Sequence, residues 1–343
     1  MLKYKDLIEV LKNAGYPKFR AEQVFQAVYK KGGNDYENIS TLPGELKEFL
    51  KENVPVYSFG VGNRMVSKID GTQKVLFELC DGKKVEAVLM RYSDKTGKRN
   101  TVCVSSQVGC ALKCAFCATG KLGFSRDLTA EEIADQVLYF DHILKAEEER
   151  VTNVVYMGMG EPFLNYDKVM KSVRILNDEK CLNIAARGIT VSTSGVIEGI
   201  EKFSEENLQV NLAVSLHVPT QDGRAEIMPI ARANSLDKLM ESLDDYVFRT
   251  NRRVSYEYVL LKGVNDGVED ARDLAELLQG RLCHVNLIQY NETGLPFKKS
   301  GKSEGEKFLE ILEGSGVPVS LRISRGQDIF GACGQLAGKE NAG

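Results

Sequence analysis

The chain of 343 residues is 43% hydrophobic and 27% charged, with no tryptophan and a formal net charge of −3, which excludes a disordered polymer, a collagen repeat and a long coiled coil. No stretch approaches the roughly 20 apolar residues of a membrane helix, and MLKYKDLIEV lacks the apolar block of a leader, so a cytoplasmic protein with no membrane partner is expected. Forty-five basic against 48 acidic side chains create no global positive field, so any nucleic-acid binding has to use local patches.

Tyr4, Leu7, Ile8 and Leu11 share one face of a first helix, and Ala21, Val24, Phe25 and Val28 share a face of a second, with Gly15 and Pro17 between them. A third short helix is expected after Pro43. Between residues 64 and 91 the runs RMVSKI, KVLFELC and KVEAVLM, separated by Asp70-Gly71 and Asp81-Gly82, predict a β meander. Residues 1–31 hold seven Lys/Arg against three Asp/Glu, and residues 60–100 hold nine against five. Lys30, Lys31, Lys83, Lys84, Lys98 and Arg99 are therefore candidate phosphate contacts, with a solvated lysine surface as an equal alternative.

From residue 101 the pattern changes. The strand-like runs TVCVSS, TNVVYMGM, GITVSTSG, VNLAVSLH, VSYEYVLL and HVNLIQY alternate with amphipathic segments near 129–146, 166–177, 235–248 and 267–279, and a last helix and strand cover 304–323. This rhythm of βα units predicts an α/β fold with a parallel sheet, and six or so units are too few for a closed eight-fold barrel. A partial α/β barrel is expected, preceded by a small helical domain with its meander. The boundary is expected in the polar stretch Ser93–Asn100, dividing the chain into 1–95 and 96–343.

Eight cysteines are distributed unevenly. Cys110, Cys114 and Cys117 fall in a C-x3-C-x2-C loop directly after the first of these strands, and three thiolates so spaced can hold an iron–sulfur cluster while leaving one iron open. The alternative is zinc, which as a structural ion takes four protein ligands, and neither His142 nor His217 is near in sequence. Gly158-Met159-Gly160-Glu161-Pro162 follows the second strand, where the glycines admit close approach and Glu161 can accept from an ammonium. Ser192, Ser215, His217 and Asn291 stand at strand ends, as polar contacts to a nucleotide-like ligand do.

The triplet, with an aromatic residue before its third cysteine, resembles the radical S-adenosylmethionine signature, and GMGEP resembles that superfamily's Gly-Gly-Glu-Pro motif. The chain as a whole is similar to the RlmN-type adenosine C2-methyltransferases, through VEAVLM, CVSSQVGCALKCAFCATG, NVVYMGMGEPFLN, ITVSTSG, AVSLH, VNLIQYN and Gly331-Ala332-Cys333-Gly334-Gln335-Leu336. The resemblance implies a partial (β/α)6 barrel with an N-terminal RNA-contacting domain. It implies a 4Fe-4S cluster on Cys110, Cys114 and Cys117, and two molecules of S-adenosylmethionine per turnover, one as methyl donor and one as radical source. Gly160, Glu161, Ser192, Ser215, Leu216, His217 and Asn291 would contact that cofactor.

The same resemblance makes Cys333 the methyl-carrying nucleophile, Glu86 the proton acceptor, and Cys103 the resolving thiol of a transient Cys103–Cys333 disulfide. The route answers a chemical problem, since an adenine C2 is not nucleophilic and a carbon first parked on sulfur can become a radical. Cys80, Cys181 and Cys283 match no such role and are assigned to packing. The implied partners are 23S ribosomal RNA, transfer RNA in some members, and a low-potential electron donor such as flavodoxin or ferredoxin. The Cfr-type activity at C8 of the same adenosine and, from another class, a non-catalytic RNA-binding protein with a structural metal are the alternatives.

Overall fold

The computed structural model describes residues 4–94 and 97–338. Three helices open it, α1 (Tyr4–Asn13), α2 (Lys18–Tyr29) and α3 (Gly44–Asn53), with Leu7, Leu11, Val24, Phe25, Leu46 and Leu50 buried between them. The meander follows as β1 (Phe59–Val66), β2 (Gln73–Leu79) and β3 (Lys84–Asp94). Gly71 and Gly82 have the positive φ that their turns require.

β4 (Gly97–Cys103) pairs antiparallel with β3 and parallel with β7 (Asn153–Tyr156), so it is the seam between meander and parallel sheet. Between these two strands lie a small hairpin, β5 (Gln107–Gly109) and β6 (Phe124–Asp127), and the short α4 (Ala118–Lys121), which together frame the cysteine loop, and then α5 (Ala130–Lys145). A capping box of Thr129 and Glu132 starts α5. After β7 the order is α6 (Tyr166–Asn177), β8 (Ile189–Thr193), α7 (Ile197–Ser204), β9 (Asn211–Ser215), α8 (Gln221–Ile227), α9 (Leu236–Thr250), β10 (Val254–Leu260), α10 (Val268–Leu278), β11 (Cys283–Gln289), α11 (Lys302–Gly314) and β12 (Val319–Arg322).

One sheet runs β1-β2-β3-β4-β7-β8-β9-β10-β11-β12. It is antiparallel up to β4 and parallel beyond, and among the described residues no pairing joins its two edges, which is the open α/β arrangement expected of a partial barrel. The sequence reading missed the β5–β6 hairpin and the short α7 and α8, whose periodic stretches are too brief to register. The division expected between residues 95 and 96 lies outside the described residues, but β3 and β4 pair along their length from Val88↔Cys103 to Asp94↔Gly97, so the meander and the parallel sheet are hydrogen-bonded into one layer.

The helical N-terminus is tied to the sheet layer through α5. His142 accepts from the Tyr57 hydroxyl at Nδ1 (2.5 Å) and donates from Nε2 to the Val28 carbonyl (2.8 Å), which specifies a neutral ring. Lys145 donates to the Tyr29 carbonyl at 2.6 Å, and a single apolar core runs from Leu7 through the meander to Leu312.

Candidate active site

A cavity of about 190 Å³ opens at the carboxyl ends of the parallel strands. Its lining brings together residues from widely separated parts of the chain, among them Cys103, the three clustered cysteines, Gly160-Glu161, Ser192, Ser215, His217 and Cys333. This is where α/β folds of this type carry their sites, because strand ends deliver side chains from every βα unit to one place.

The cysteine loop is cradled by a second apolar cluster, Phe116, Val218, Ile227, Met228, Val259, Leu261 and Tyr290, against which Cys114 and Cys117 pack. Lys113 takes a positive φ of 54°, and Ala115 donates to the Ile227 carbonyl at 2.9 Å, which fixes the loop's path. Burial pushes the Cys110 thiol up to about 12, and neighbouring Cys117 and Glu161 add to the effect. Cys114 is raised as well, by burial first and then by Cys117 and Cys110. A buried loop that raises the Cys110 and Cys114 thiols beside a third cysteine is a donor set in need of positive metal charge.

Among the described residues no three His, Cys, Asp or Glu side chains are gathered tightly enough for a single metal ion. An iron–sulfur cluster is larger than an ion and holds its thiolates farther apart, so the triplet fits a cluster better than zinc. Arg224 supplies a second sign. It is wholly buried beside Cys114, donates from Nη2 to the carbonyls of Ser194 (2.6 Å) and Ser215 (3.3 Å), and keeps its Nε and Nη1 without acceptors. Buried donors left unmet are costly, and Arg224, which stands behind the cavity lining, offers its positive charge to a Cys114 thiolate.

The Gly158–Pro162 turn is fixed by close approach. A Cβ on Gly158 would lie 2.6 Å from the Val104 carbonyl oxygen, and one on Gly160, whose φ is +104°, would lie 2.6 Å from the Gln107 Cβ. The Gln107 side chain accepts from the Glu161 amide at 2.8 Å. The Glu161 carboxylate accepts from the Phe163 amide (3.1 Å) and the Ser194 amide (2.8 Å), and burial raises its pKa. The hydroxyls of Thr193 and Ser194 favour its charged form as well, and a carboxylate so placed on the cavity wall can accept from an ammonium donor.

His217 has a positive φ of 59°; its Nδ1 accepts from the Val259 amide at 3.1 Å, and its ring meets Phe116 edge-on at 4.8 Å. Burial pulls its pKa down to about 3, so the ring is neutral, with a proton on Nε2 to donate.

The structure distributes the remaining expected residues differently. Leu216 is buried in the main core, and its backbone amide donates to the Glu257 carbonyl. Asn291 lies outside the cavity lining; its side chain donates to the Cys333 carbonyl at 3.1 Å and accepts from Gln327 at 2.8 Å, so it holds the Cys333 segment. Glu86 is also absent from the lining. It is 2% exposed, pairs with the 4% exposed Lys74 at 2.8 Å, and its Oε2 accepts from the amides of Ala337 (2.7 Å) and Gly338 (3.0 Å).

Cys333 is solvent-accessible within the cavity but enclosed by protein, and its thiol is pushed up to about 11 by burial, against the lowering pull of Arg322. Cys103 faces the same space. Its thiol is pushed up to about 12, chiefly by burial and next by Cys333 itself. Of the cysteines assigned to packing, Cys181 and Cys283 are buried in the core, whereas Cys80 is exposed and donates to the Ser58 carbonyl.

Sequence reasoning missed a charged pair on the cavity wall, Glu257 and Arg322. Glu257 accepts from Asn286 (2.8 Å) and from Arg322 (3.2 Å), and burial raises its pKa. A charged residue in VSYEYVL reads as the outer face of an alternating strand, and only the neighbouring register Glu257↔Asn286 puts it beside its partners.

Residues 104–278 match the Radical SAM superfamily, whose members use a 4Fe-4S cluster and S-adenosylmethionine, and residues 1–56 match the Ribosomal RNA large subunit methyltransferase N-terminal domain. The chain is 43% identical to the Ribosomal RNA large subunit methyltransferase N of Nitrosopumilus maritimus over 97% of this chain and 96% of that protein. It is 46% identical to the probable dual-specificity RNA methyltransferase RlmN of Staphylococcus haemolyticus over 99% of this chain and 92% of that protein. The crystal structure of a radical SAM methyltransferase from Sphaerobacter thermophilus, 43% identical, superposes with a TM-score of 0.93 over 98% of both chains. On its cysteine motif, its fold and this end-to-end likeness, the chain belongs to the RlmN family of radical SAM methyltransferases.

Proposed function

We propose that the protein methylates C2 of an adenosine in 23S ribosomal RNA, with transfer RNA as a second substrate, through a methyl group carried on Cys333. The observation that carries this reading is the meeting of Cys103 and Cys333, 230 positions apart in sequence, in the cavity that also holds the cysteine triplet, close enough for Cys333 to raise the Cys103 thiol. A methyltransferase acting by simple displacement needs neither thiol. When bound on Cys110, Cys114 and Cys117, the cluster supplies the electron that cleaves S-adenosylmethionine to a hydrogen-abstracting radical.

The chain's own groups do the rest. The Cys333 thiolate displaces the methyl group of one S-adenosylmethionine, and Arg322 beside it favours that anion. The carried methyl gives up a hydrogen atom to that radical, its carbon bonds to the adenine C2, Glu86 takes the C2 proton, and the one electron left over would return to the cluster. For this the Glu86 carboxylate must let go of the amides of Ala337 and Gly338, so loosening of the tail precedes proton transfer. The Cys103 thiolate attacks the Cys333 sulfur, the carbon–sulfur electron pair goes to the methylene carbon, which takes up a proton, and a Cys103–Cys333 disulfide remains for reduction. Glu161, Ser192, Ser215 and His217 position S-adenosylmethionine. The N-terminal segment to residue 95 contacts RNA, a flavodoxin or ferredoxin serves as electron donor, and the enzyme works where ribosomes are assembled, in the cytoplasm.

The test is an anaerobic reaction of cluster-reconstituted protein with methyl-deuterated S-adenosylmethionine, reductant and a ribosomal RNA fragment, read by nucleoside mass spectrometry. 2-Methyladenosine carrying two deuterons and one exchanged hydrogen is the expected product. 8-Methyladenosine would move the reaction to C8, and a methyl group retaining three deuterons would remove Cys333 from the route.

A further inference from the structure

The segment that leaves β12 runs along the cavity rim before reaching Cys333, and its side chains are unlike those of the rest of the wall. Arg322 turns inward to Glu257, whereas Ile323, the next residue, lines the cavity and is nevertheless 85% exposed. No other part of the described chain covers it. Two residues on, Arg325 lies over the ring of Tyr92 with its guanidinium carbon 4.4 Å from the centroid, and Arg99 from β4 reaches the same ring at 4.5 Å. The Arg325 Nε is buried and has no acceptor. Of the lysines and arginines that the sequence marks as phosphate contacts, Lys98 is paired with Glu149, Lys83 with Asp81, and Lys30 with the Cys181 carbonyl, whereas Arg99 is exposed and lies against an aromatic ring.

A fully exposed aliphatic side chain on the lip of a catalytic cavity, flanked by cationic aromatic stacking, matches what a strand of nucleic acid needs when one base has to leave the stack. Extruding a base leaves a gap that an apolar side chain can fill, and the phosphates on either side need cations. Arginine and tyrosine planes also receive unstacked neighbouring bases. We propose that Ile323 is a wedge that takes the place of the target adenine in the RNA stack, and that Arg99, Tyr92 and Arg325 hold the adjoining backbone and base while the adenine enters the cavity. The inference rests on the reading of this chain as an RNA-modifying enzyme and adds to it the residues that open the substrate.

The experiment uses the cluster-loaded full chain and a ribosomal RNA hairpin with 2-aminopurine at the target position, whose fluorescence rises when the base unstacks. Wild-type protein should raise the signal several-fold, Ile323→Ala should lose most of that rise with affinity for the hairpin changed less than threefold, and Ile323→Leu should restore it. Arg99→Ala and Arg325→Ala should each weaken binding and lower the slope of log affinity against log salt by roughly 0.7. Equal fluorescence from wild type and Ile323→Ala would overturn the wedge, and unchanged salt slopes would overturn the clamp. Methylation of the natural hairpin is followed in parallel. Normal methylation with either negative result sinks this inference alone, whereas wild-type protein that neither binds nor methylates the hairpin sinks the functional reading and the inference with it.

Discussion

The two sides of the cavity are built by different physics. The side carrying the cysteine triplet, Gly158–Pro162, Ser192 and His217 grows out of parallel strands and is locked by contacts that leave no room, such as the 2.6 Å approach that a Cβ on Gly158 would make to Val104. The side carrying Cys333 is anchored in the core at Leu336 and otherwise hung on separate hydrogen bonds. Thr119 donates to the Leu336 carbonyl, Asn291 to that of Cys333, Gln335 to that of Glu292, and Glu86 receives two amides from residues 337–338. Close-packed backbone has one arrangement, whereas hydrogen bonds that water can replace are each worth only about 1 kcal/mol net and can be exchanged. On the proposed route, a cofactor held in one pose would sit on the first side, and a carrier that meets a methyl donor, an RNA base and a second thiol in turn would sit on the second.

The largest expected effect breaks the rigid side. Gly160→Val puts a β-branched residue at φ +104° and drives its Cβ into Gln107, the residue that holds the Glu161 amide. Reconstituted protein should keep its fold by circular dichroism but lose S-adenosylmethionine binding by calorimetry, at least tenfold. Binding within twofold of wild type would mean that this wall yields as easily as the tail.

A second experiment attacks the tail side at the carboxylate of Glu86. Removing the charge of Glu86 strands Lys74 in the interior, and breaking a buried pair from one end costs about 3 kcal/mol or more. Glu86→Gln should therefore lower the midpoint of denaturant unfolding, while the double variant Lys74→Met, Glu86→Leu should recover most of the loss, because an apolar pair replaces an ionic one. Methylation of RNA should be absent from both. Recovery of turnover in the double variant would make Glu86 a purely structural latch and send the search for the proton acceptor elsewhere.

How far the sequence could be read follows the same division. The rigid side was legible because its requirements are local: C-x3-C-x2-C, G-x-G-E-P and polar residues just past apolar strands are each written within a few positions. The parallel run from β4 to β12 was legible from periodicity for the same reason. The tail side was not, since the partners of Glu86 are 251 and 252 residues away and Asn291, which looks like one more polar strand end, is spent on the Cys333 carbonyl. Lys74 is alternation-compatible with an exposed strand face, and nothing near it in sequence signals the carboxylate that allows its burial. Glu257 and Arg322 escaped notice because two charged residues on neighbouring strands are seen as a pair only after the register is known. Resemblance supplied Cys103, Glu86 and Cys333 as a set, but not the fact that the tail occupies the carboxylate in this conformation.

The smallest effect concerns the two thiols themselves. Both are raised, Cys103 to about 12 and Cys333 to about 11, so below pH 10 each is mostly protonated and its thiolate fraction grows about tenfold for every unit of pH. Alkylation of the cluster-free protein by iodoacetamide, followed by peptide mass spectrometry between pH 7 and pH 10, should climb accordingly at both sites. Cys333 should react faster throughout, because it is exposed to the cavity whereas Cys103 is held in a strand. Asn291→Ala removes one tether of the Cys333 segment, a neutral hydrogen bond worth about 1 kcal/mol. That energy corresponds to roughly a fivefold shift in the population of the released segment, so the Cys333 rate should rise by no more than that factor while the Cys103 rate stays unchanged. An equal rise at both thiols would mean that the two sides of the cavity loosen together, and the contrast between a fixed cofactor wall and a hinged carrier would have to be abandoned.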